Sequence, residues 1–539
     1  MNKIRIALIT NNKYCYAWQK TVISDLRNSD FADVILSLNF NKDNIENQKE
    51  KRRIPFLWKV FIKIDSKLFK PLHNAFLKIN TEGLFEGISK LQIDNDLQLD
   101  QIKEHNIDVI INFTEIEPNR VIQSGSKYGL WFLSHCDLNK IGKKPYGIWE
   151  MLKKLPETVG TLSYVKDDIT TPIAIDQTSS CTDGLSYSRN LNDIFWQTQG
   201  LIFNNIKLLA KDETLFFKKV ESKKGISSML NSNISFVPPS SIRILGFGLM
   251  LYIKKFAQLI NSTFFFDQWA LIFFNNNNNS NAYLLKNYKK ILPPKDRFWA
   301  DPFLIENNNK YYLFIEELIY KNKLGHLSVM EIDEHGNYSK PEKILVKDYH
   351  LSYPFIFKDN GMFFMIPETS GNNDIQIYRA TEFPLKWELE RVIMKNVVAV
   401  DTTIYKKDDT YWMFTNIRKH NGQSKHVELN LFSSKELVSD NWIPHPLNPV
   451  KTDIKSARPA GALFKDNNKL LRPSQNCSNY YGYGLNISEV TKLDESNFEE
   501  ILISGIEPKW EKGISCTHSF NSVGQLFISD IKIKRSKFF

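Results

Sequence analysis

The chain from about residue 298 onward repeats one pattern of apolar and polar positions. Each unit is a short apolar stretch, a polar turn and a second apolar stretch, and the units open at Asp301, Tyr353, Asp401, Arg458 and His518. The apolar stretches are strand length, and the units recur every 48 to 59 residues. A repeat of ~40–50 residues with several strands per unit is typical of a β-propeller. Five units predict an all-β five-bladed propeller.

The residues that open the five units are candidate site residues. In a propeller the same strand of every blade lines the central channel, so these positions are expected to converge at one mouth. We take Asp301 and Asp401 as candidate catalytic carboxylates, and Tyr353, Arg458 and His518 as candidate substrate-binding residues.

The first half of the chain has a different pattern. Apolar runs at 3–10, 34–38 and 108–113 read as buried strands, the stretch between the first two reads as a helix, and residues 189–217 also look helical. Strand, helix, strand predicts an α/β open and mostly parallel sheet, Rossmann-like in layout but without a GxGxxG fingerprint. We expect an α/β domain at 1–220, a helical connector at 221–265 and the propeller at 266–539.

Two further stretches are predicted to be helical. Residues 53–81 read as an amphipathic helix, and residues 242–260 are the most apolar helix candidate, in which Arg243, Lys254 and Lys255 flank an apolar run. The central apolar run of the second, 244–253, is shorter than the ~20 residues needed to cross a bilayer. Packing against the core and peripheral contact with a membrane surface both fit this pattern.

The composition limits the classes of partner that are expected. The 539 residues carry a net charge of +10, which suits anionic partners such as sugar nucleotides or phospholipid headgroups. No nucleic-acid-binding motif stands out, so nucleic acid is not expected. Five scattered cysteines without a CxxC pair, and a start that lacks the pattern of a signal peptide, predict a cytoplasmic protein, with peripheral contact at the inner face of the membrane left open.

Residues 1–215 resemble the formyltransferase fold. The order GLWFLSHCD (129–137), KPYGIWE (144–150) and TVGTLSYV (158–165) is similar to that family's order of motifs. The alignment places the family's catalytic His on Ser134, with His135 one place further on, and its catalytic Asp on Thr170. The resemblance therefore implies a formyltransferase-like domain with a degenerate active site.

Four polar residues remain near that former active site. The resemblance makes His135 a candidate catalytic residue, and Asn112, Asp137 and Glu150 candidate substrate-binding residues. Formyl-tetrahydrofolate would be the cofactor only if formyl transfer were retained.

The second half resembles the propeller found at the amino-terminal end of glucosamine inositolphosphorylceramide transferases. FWADPFL (298–304), HLSYPFIF (350–357) and RPSQNC (472–477) are among the motifs that carry this resemblance. The propeller is also similar to family 43 glycoside hydrolases, which place catalytic Asp residues where Asp301 and Asp401 stand. Arg458 occupies the place of that family's acid Glu, and a guanidinium cannot supply the proton that glycoside hydrolysis needs.

Other carboxylates lie near the predicted mouth. Glu317 and Glu368 could substitute for the missing acid, although their positions in the repeat argue against it, and Glu368 is kept as a candidate substrate-binding residue.

These features predict a glycosyltransferase-type enzyme of cell-surface polysaccharide or glycolipid assembly. The α/β domain would hold an activated donor such as a sugar nucleotide, and the propeller a glycan or lipid-linked acceptor. No further cofactor and no metal are expected, because no DxD motif of the usual kind is present. An N-formyltransferase acting on an amino sugar, a non-catalytic glycan-binding propeller and a family-43-like hydrolase remain alternatives.

Overall fold

A computed structural model describes residues 3–11, 14–40, 55–81, 83–93, 99–114, 124–137, 141, 143–166, 171–223, 235–275 and 288–538. The chain forms two compact units, Met1–Lys254 with Asn421–Ser424, and Lys255–His420 with Lys425–Phe539. Thr170, which the formyltransferase alignment singled out, lies outside the described residues. Residues 49–54, which include the start of the 53–81 stretch, also lie outside them.

The first unit is an α/β structure. Its described strands are β1 (Ile4–Ile9), β2 (Tyr14–Tyr16), β3 (Ala32–Phe40), β4 (Lys78–Asn80), β5 (Ser89–Ile93), β6 (Val109–Asn112), β7 (Leu130–Ser134), β8 (Lys143–Lys144), β9 (Glu157–Val165), β10 (Ile173–Cys181) and β11 (Ser235–Phe236). The helices within the described residues are α1 (Ala17–Arg27), α2 (Phe56–Leu68), α3 (Leu99–Glu104), α4 (Ile148–Lys153), α5 (Tyr187–Lys211), α6 (Glu213–Ser222) and α7 (Ser241–Phe264).

The main sheet of this unit is mixed. Its described order is β10-β9-β7-β6-β1-β3-β5. The pairs from β7 to β5 are parallel, whereas β9 runs antiparallel to β7 and β10 antiparallel to β9. The expected α/β sheet is therefore present, with a parallel part and an antiparallel edge.

Two predicted helices differ from the structure. The helix expected over 53–81 is found only as α2, which ends at Leu68; Pro71 follows, and the residue before a proline disfavours helical backbone. The helix expected over 189–217 is two helices. Asp212 separates them, with extended backbone and a side chain that accepts a hydrogen bond from the Leu215 N–H at 2.8 Å, which caps α6.

The second unit is built of strands. They are β12 (Phe265–Asn275), β13 (Lys289–Ile291), β14 (Arg297–Asn307), β15 (Lys310–Ile319), β16 (Gly325–Ile332), β17 (Glu342–Leu345), β18 (Ser352–Asp359), β19 (Met362–Glu368), β20 (Asp374–Glu382), β21 (Lys386–Lys395), β22 (Val398–Lys407), β23 (Thr410–Arg418), β24 (Glu428–Ser434), β25 (Ile443–Pro444), β26 (Lys451–Thr452), β27 (Phe464–Asp466), β28 (Lys469–Asn476), β29 (Gly484–Leu493), β30 (Phe498–Ile506), β31 (Ile514–Cys516), β32 (Phe520–Val523) and β33 (Leu526–Ser536). A short 3₁₀ turn spans Ser370–Asn372.

These strands form five antiparallel sheets within the described residues, one for each predicted blade. Blade one is β14-β15-β16-β17, blade two is β18-β19-β20-β21, blade three is β22-β23-β24-β25 with β26, and blade four is β27-β28-β29-β30. Blade five combines β31, β32 and β33 with β12 and β13. The five-bladed propeller predicted from the repeat is confirmed.

Blade five closes the ring. β12 comes before blade one in the chain, yet it pairs with the last strand, β33, from Phe265 opposite Ser536 to Asn275 opposite Leu526 without a break in register. The first and last segments of the unit are thereby joined in one sheet, which protects edges that would otherwise be open.

Buried apolar side chains fill the space between blades. Between blades five and one, Leu271 and Ile528 lie in one cluster with Leu304, Leu313 and Met330. Comparable clusters join blades one to three, three to four, and four to five. Each interface removes apolar surface from water at roughly 25 cal/mol per Å², so neighbouring blades stabilise one another.

We expect Ile528→Ala to loosen the ring closure. Ile528 is fully buried between blades five and one, and loss of such a side chain costs about 2–5 kcal/mol. Hydrogen–deuterium exchange should rise in peptides from β12 and β33. Ile501→Ala is the matched control, because Ile501 is 59% exposed on the outer strand of blade four. Equal exchange in the two variants would contradict a closing role for this interface.

Candidate functional site

The inner strands of blades one, two and three each contain a β-bulge at the same position. Pairing shifts by one residue after Ala300, Ser352 and Val400. The next residues, Asp301, Tyr353 and Asp401, have φ of 48°, 47° and 52°. Left-handed backbone at a non-glycine residue costs on the order of 1–3 kcal/mol and is concentrated at functional sites.

A cavity of about 370 Å³ lies at this level of the propeller. Its lining residues share either an aromatic ring or an ionisable group, with two small exceptions. They are Trp269, Phe298, Ala300, Asp301, Glu316, His350, Ser352, Glu368, Lys425, His426, Arg458, Tyr481 and His518.

Four of the predicted mouth residues line this cavity, whereas Tyr353 and Asp401 are not among its lining residues. Asp301, Arg458, His518 and Glu368 are among the lining residues. Tyr353 is fully buried, and its hydroxyl bonds to the Thr403 hydroxyl at 2.8 Å. It therefore lies where it supports the strands and does not face a ligand in the cavity.

Asp401 forms an ion pair with Arg458. The guanidinium donates from Nε and Nη2 to the two oxygens of Asp401, at 2.5 and 3.1 Å. Asp401 Oδ2 also accepts a bond from Gln475 Nε2 at 2.7 Å. The carboxylate is thus held by three donors and is 1% exposed, which makes it a positioning group for Arg458.

The charge states of this pair fit the geometry. Burial raises the pKa of Asp401 to about 6, against the opposing effect of Arg458, so the carboxyl is ionised at neutral pH. Burial acts to lower the pKa of Arg458, but Asp401 outweighs it and holds that pKa well above its ordinary value. A forked, fully charged ion pair therefore joins blade three to the start of blade four.

Arg458 has further partners on its remaining nitrogens. Nη1 donates to Nδ1 of His426 at 2.7 Å, and Nη2 reaches Oε2 of Glu368 at 3.4 Å. Burial, with Arg458 adding to it, lowers the pKa of His426 well below the ordinary value, so its ring is neutral and can accept this bond. The guanidinium also lies 5.1 Å from the ring centre of Tyr481. The donors of Arg458 are therefore engaged by the protein's own side chains.

A second charged group joins blades five and one. His518 lies 2.6 Å from Asp530 through Nδ1 and 3.5 Å from Asp301 through Nε2. Asp530 is completely buried and also accepts bonds from the His518 and Ser519 N–H groups and, through Oδ2, from the Asp301 N–H. The Tyr353 N–H donates to Asp301 at 3.2 Å, which extends the group to blade two.

Burial and ion pairing oppose each other at His518. Burial acts to lower its pKa, but Asp530 and Asp301 outweigh it and raise the pKa to about 9. Ligand atoms of Asp301, His518 and Asp530 lie within 4.8 Å of one another, close enough for one metal ion. Because both ring nitrogens already face a carboxylate, the arrangement is better described as an imidazolium between two acids.

Asp301 is the carboxyl of this group that reaches the cavity. Burial raises its pKa well above the ordinary value, His518 opposes that effect, and Glu316, Asp401 and Asp530 add to it. A raised pKa makes this carboxylate a stronger proton acceptor than an exposed aspartate, which is the property that a general base requires.

Two more carboxylates face the cavity. Glu316 Oε1 lies 3.1 Å from His350 Nε2, and the Gly325 N–H donates to the other ring nitrogen of His350 at 3.0 Å. Glu368 accepts a bond from the Ser370 hydroxyl at 2.6 Å. The cavity is therefore rich in acceptors whose positions are fixed by neighbouring donors.

Strand alternation separates Glu316 from Glu317. Glu317, which sequence reasoning had weighed as a substitute acid, bonds to Trp299, Arg297, His326 and Ser328. Burial opposes its ionisation, but these donors lower its pKa to about 2. Glu317 is therefore a structural anion within blade one. Its neighbour Glu316 is the residue that lines the cavity.

Several cavity residues were missed from the sequence. His350 lies in the quoted stretch 350–357, so position within the repeat could have indicated it. Trp269 comes from β12, and Lys425, His426 and Tyr481 come from connections between strands, where the repeat gives no signal.

The four candidates of the α/β unit do not form a comparable site. His135 is 3% exposed, stacks on Phe195 at 3.6 Å and bonds to the Thr198 hydroxyl at 2.9 Å. Burial lowers its pKa to about 3. Asn112 accepts bonds from the Thr114 N–H and hydroxyl.

The two acids of that set are also buried. Asp137 is 9% exposed, and its carbonyl accepts a bond from the Ile141 N–H at 2.8 Å. Glu150 is fully buried in α4, and burial raises its pKa to about 7. Both oxygens of Glu150 lack a hydrogen-bond partner within the described part of the chain.

The fold and site define a five-bladed propeller with an acceptor-rich, aromatic-walled cavity at the end of its channel. Residues 290–526, which cover most of this unit, match the family model for the amino-terminal part of glucosamine inositolphosphorylceramide transferase 1.

Named relatives agree with that match. The glucosamine inositolphosphorylceramide transferase 1 of Oryza sativa subsp. japonica is 32% identical over 214 residues, 39% of this chain and 28% of its own length. The protein of the same name from Arabidopsis thaliana is 31% identical over 231 residues, 42% of this chain and 30% of its own. The chain thus spans less than a third of the length of either relative.

Solved structures give weaker likenesses. A thermostable family-43 glycoside hydrolase is 13% identical, covers 45% of this chain and 90% of its own, and has a TM-score of 0.32. A GH43_1 enzyme from Xanthomonas citri is 10% identical, with coverages of 44% and 87% and a TM-score of 0.33. Scores at this level are too low to support a functional comparison.

We expect Arg458→Met to destabilise the propeller by about 3–5 kcal/mol, since it leaves Asp401 buried without its cation. Adding Asp401→Asn should recover part of that loss, because the remaining partner is then neutral. Urea unfolding of the single and double variants measures both effects. Arg391→Met is the control: its pair with Asp440 is exposed and is expected to contribute no more than about 1 kcal/mol. A loss in Arg458→Met no larger than in the control would contradict this role.

We expect the propeller to lose stability as pH rises through about 9. The pKa of His518 is raised from 6.5 to about 9, so its contribution is fully present below pH 6.5 and lost above 9. The loss should be on the order of 3 kcal/mol. Urea unfolding between pH 6 and 10 would show it. His518→Gln should flatten this dependence, whereas His335→Gln, at an exposed turn, should keep it; an unchanged slope in His518→Gln would rule the assignment out.

Proposed function

We propose that this chain takes part in glycolipid or cell-surface glycan assembly by glycosyl transfer, with the propeller cavity binding the sugar acceptor. The observation that carries the proposal is the placement of Asp301 in a cavity walled by Trp269, Phe298 and Tyr481. Aromatic faces suit the apolar faces of sugars, and fixed carboxylates suit their hydroxyl groups.

Asp301 is the proposed general base. It would take the proton of an acceptor hydroxyl while that oxygen forms a bond to the anomeric carbon of the donor and the bond to the leaving group breaks. The raised pKa of Asp301 suits this exchange. His518 and the Tyr353 N–H would hold the carboxylate in place as its charge changes.

The charges of the cavity favour an uncharged acceptor over an anionic donor. Asp301, Glu316 and Glu368 all line it, and Arg458 is engaged by Asp401 and His426. A diphosphate without a bound cation would be repelled by these carboxylates. It would also find no guanidinium free to pair with it among the described residues of the cavity. The activated donor is therefore assigned to another part of the assembly, which matches the expectation that the propeller holds the acceptor.

The named relatives supply the glycolipid setting. They are named glucosamine inositolphosphorylceramide transferase 1, and the family model that matches this chain describes the amino-terminal part of that protein. Since this chain covers 28–30% of their length, donor, acceptor and linkage are proposed here only as classes.

Glycoside hydrolysis is the second candidate, because Glu368 supplies the additional carboxylate that the sequence had left in doubt. It lies in the cavity with Asp301, and its side chain is 11% exposed. Two carboxyl groups flanking a glycosidic bond are what hydrolysis needs. Formyl transfer gains no comparable support, since His135 is buried against Phe195.

Asp301→Asn should separate these functions. We expect short neutral glycans or inositol-containing glycolipid headgroups to raise the melting temperature of both wild type and variant, because the amide keeps the shape of the site. Transfer of sugar from a donor in a sugar-nucleotide panel should fall by about 10²–10⁴-fold, the usual effect of losing a general base.

Asp409→Asn, in the exposed turn after β22, is the matched control and should keep full activity. Free sugar released without a donor would support hydrolysis instead. Full transfer activity in Asp301→Asn, or stabilisation by sugar nucleotides but by no glycan, would contradict the acceptor site.

A further inference from the structure

One face of α7 exposes a continuous apolar stripe. Ile242, Leu245, Leu249, Tyr252 and Ile253 are 83%, 61%, 61%, 71% and 58% exposed. At about 100° per residue these positions fall within roughly 120° of arc. The same spacing continues along the helix, at exposed Phe256 and Leu259. Large apolar side chains left in water over this length indicate an interaction surface.

The opposite face of α7 is already occupied. Ile244 and Phe247 are 6% exposed and lie in an apolar cluster with Trp58, Trp149 and Tyr187. The helix is therefore held on the first unit by one face while the other stays in solvent.

α2 lies beside it and has the same character. Phe61 of α2 meets Phe247 of α7 edge to face at 6.0 Å. On the outer side of α2, Phe56, Ile64 and Leu68 are 76%, 53% and 68% exposed. The two helices thus expose neighbouring apolar surfaces, which we call the α2/α7 face.

The charges of this face have one sign. Exposed cations lie beside the outer apolar residues of α2, and they are Lys59, Lys63 and Lys67, whereas Arg243 of α7 lies over the Trp149 ring at 5.9 Å. α7 contains no Asp or Glu, and the single acid of α2, Asp65, is turned inward, where it accepts bonds from the Ser188 N–H at 2.7 Å and the Ser186 hydroxyl. An exposed apolar surface bordered by lysine is the pattern of helices that lie in the headgroup layer of a membrane.

We propose that the α2/α7 face docks the protein on the surface of an anionic phospholipid bilayer. Basic side chains would pair with lipid phosphates while the leucine, isoleucine and aromatic side chains enter the acyl boundary. A second copy of the chain fits less well: the apolar positions of α7 have heptad-like spacing, but the helix has no acidic residue to pair with Lys254 or Arg243 across a dimer.

Docking of this kind lies on the membrane and does not span it. Over the described residues, none of the helices combines the length and the apolar character required to cross a bilayer. The proposal does not depend on the function assigned to the propeller cavity.

Vesicle co-sedimentation of the full chain tests the proposal. We expect binding to vesicles of equal phosphatidylglycerol and phosphatidylcholine, and at least fivefold weaker binding to phosphatidylcholine alone or in high salt. Leu245→Ser with Leu249→Ser should weaken binding by about tenfold for each leucine removed. Lys63→Glu with Lys67→Glu should abolish the preference for anionic lipid.

The control is Ile501→Ser with Leu502→Ser, a pair of 59% exposed residues on blade four, which should bind like wild type. Melting temperatures without lipid should match in all variants, because every changed residue is exposed. Absence of vesicle binding, or equal binding by the α7 and control variants, would overturn the proposal. So would a concentration-dependent dimer in analytical ultracentrifugation that the α7 variant loses, since that outcome assigns the face to a second copy.

Discussion

The pairing of β12 with β33 is the constraint on which the propeller depends. It joins segments more than 250 residues apart, and it brings blade five against blade one. Only when that contact exists can His518 and Asp530, from the end of the chain, lie beside Asp301, from its first blade. The cavity is therefore a product of ring closure, and no single blade contains it.

Buried charges make a second set of connections at the channel end. The Asp301 group ties blade five to blades one and two, and the forked pair of Arg458 and Asp401 ties blade three to blade four. Such groups add little net stability compared with apolar packing, but each is costly to break. Their effect is to fix geometry where apolar contacts alone would allow sliding. The other carboxylates in the cavity have donors of their own: His350 lies beside Glu316, and the Ser370 hydroxyl donates to Glu368.

The architecture could be predicted from the sequence because the repeat is visible in the spacing of apolar residues. It also predicted that Asp301, Arg458 and His518 would meet, since each opens a unit. It failed where chain position does not determine side-chain direction. Glu316 and Glu317 are adjacent, and only strand register shows which one faces the cavity. His426 and Tyr481 come from connections, so periodicity could not place them. For α2 the amphipathic spacing was visible, and for α7 only an apolar run; which face of each helix is buried depends on tertiary packing with Trp58 and Tyr187.

The bulges at Asp301, Tyr353 and Asp401 have a consequence for how such a protein can change. Each inserts one extra residue into an inner strand, so the alternation of side chains restarts beyond it. The bulge separates the residues of the mouth from the apolar residues that pack further along the same strand. Charged pairs at the mouth nevertheless join neighbouring blades, so replacing Asp301, Arg458 or His518 changes contacts between blades as well as the cavity. The polar lining is therefore free to vary only at residues outside these pairs, and the charged residues of the mouth are constrained by the ring as well as by any ligand.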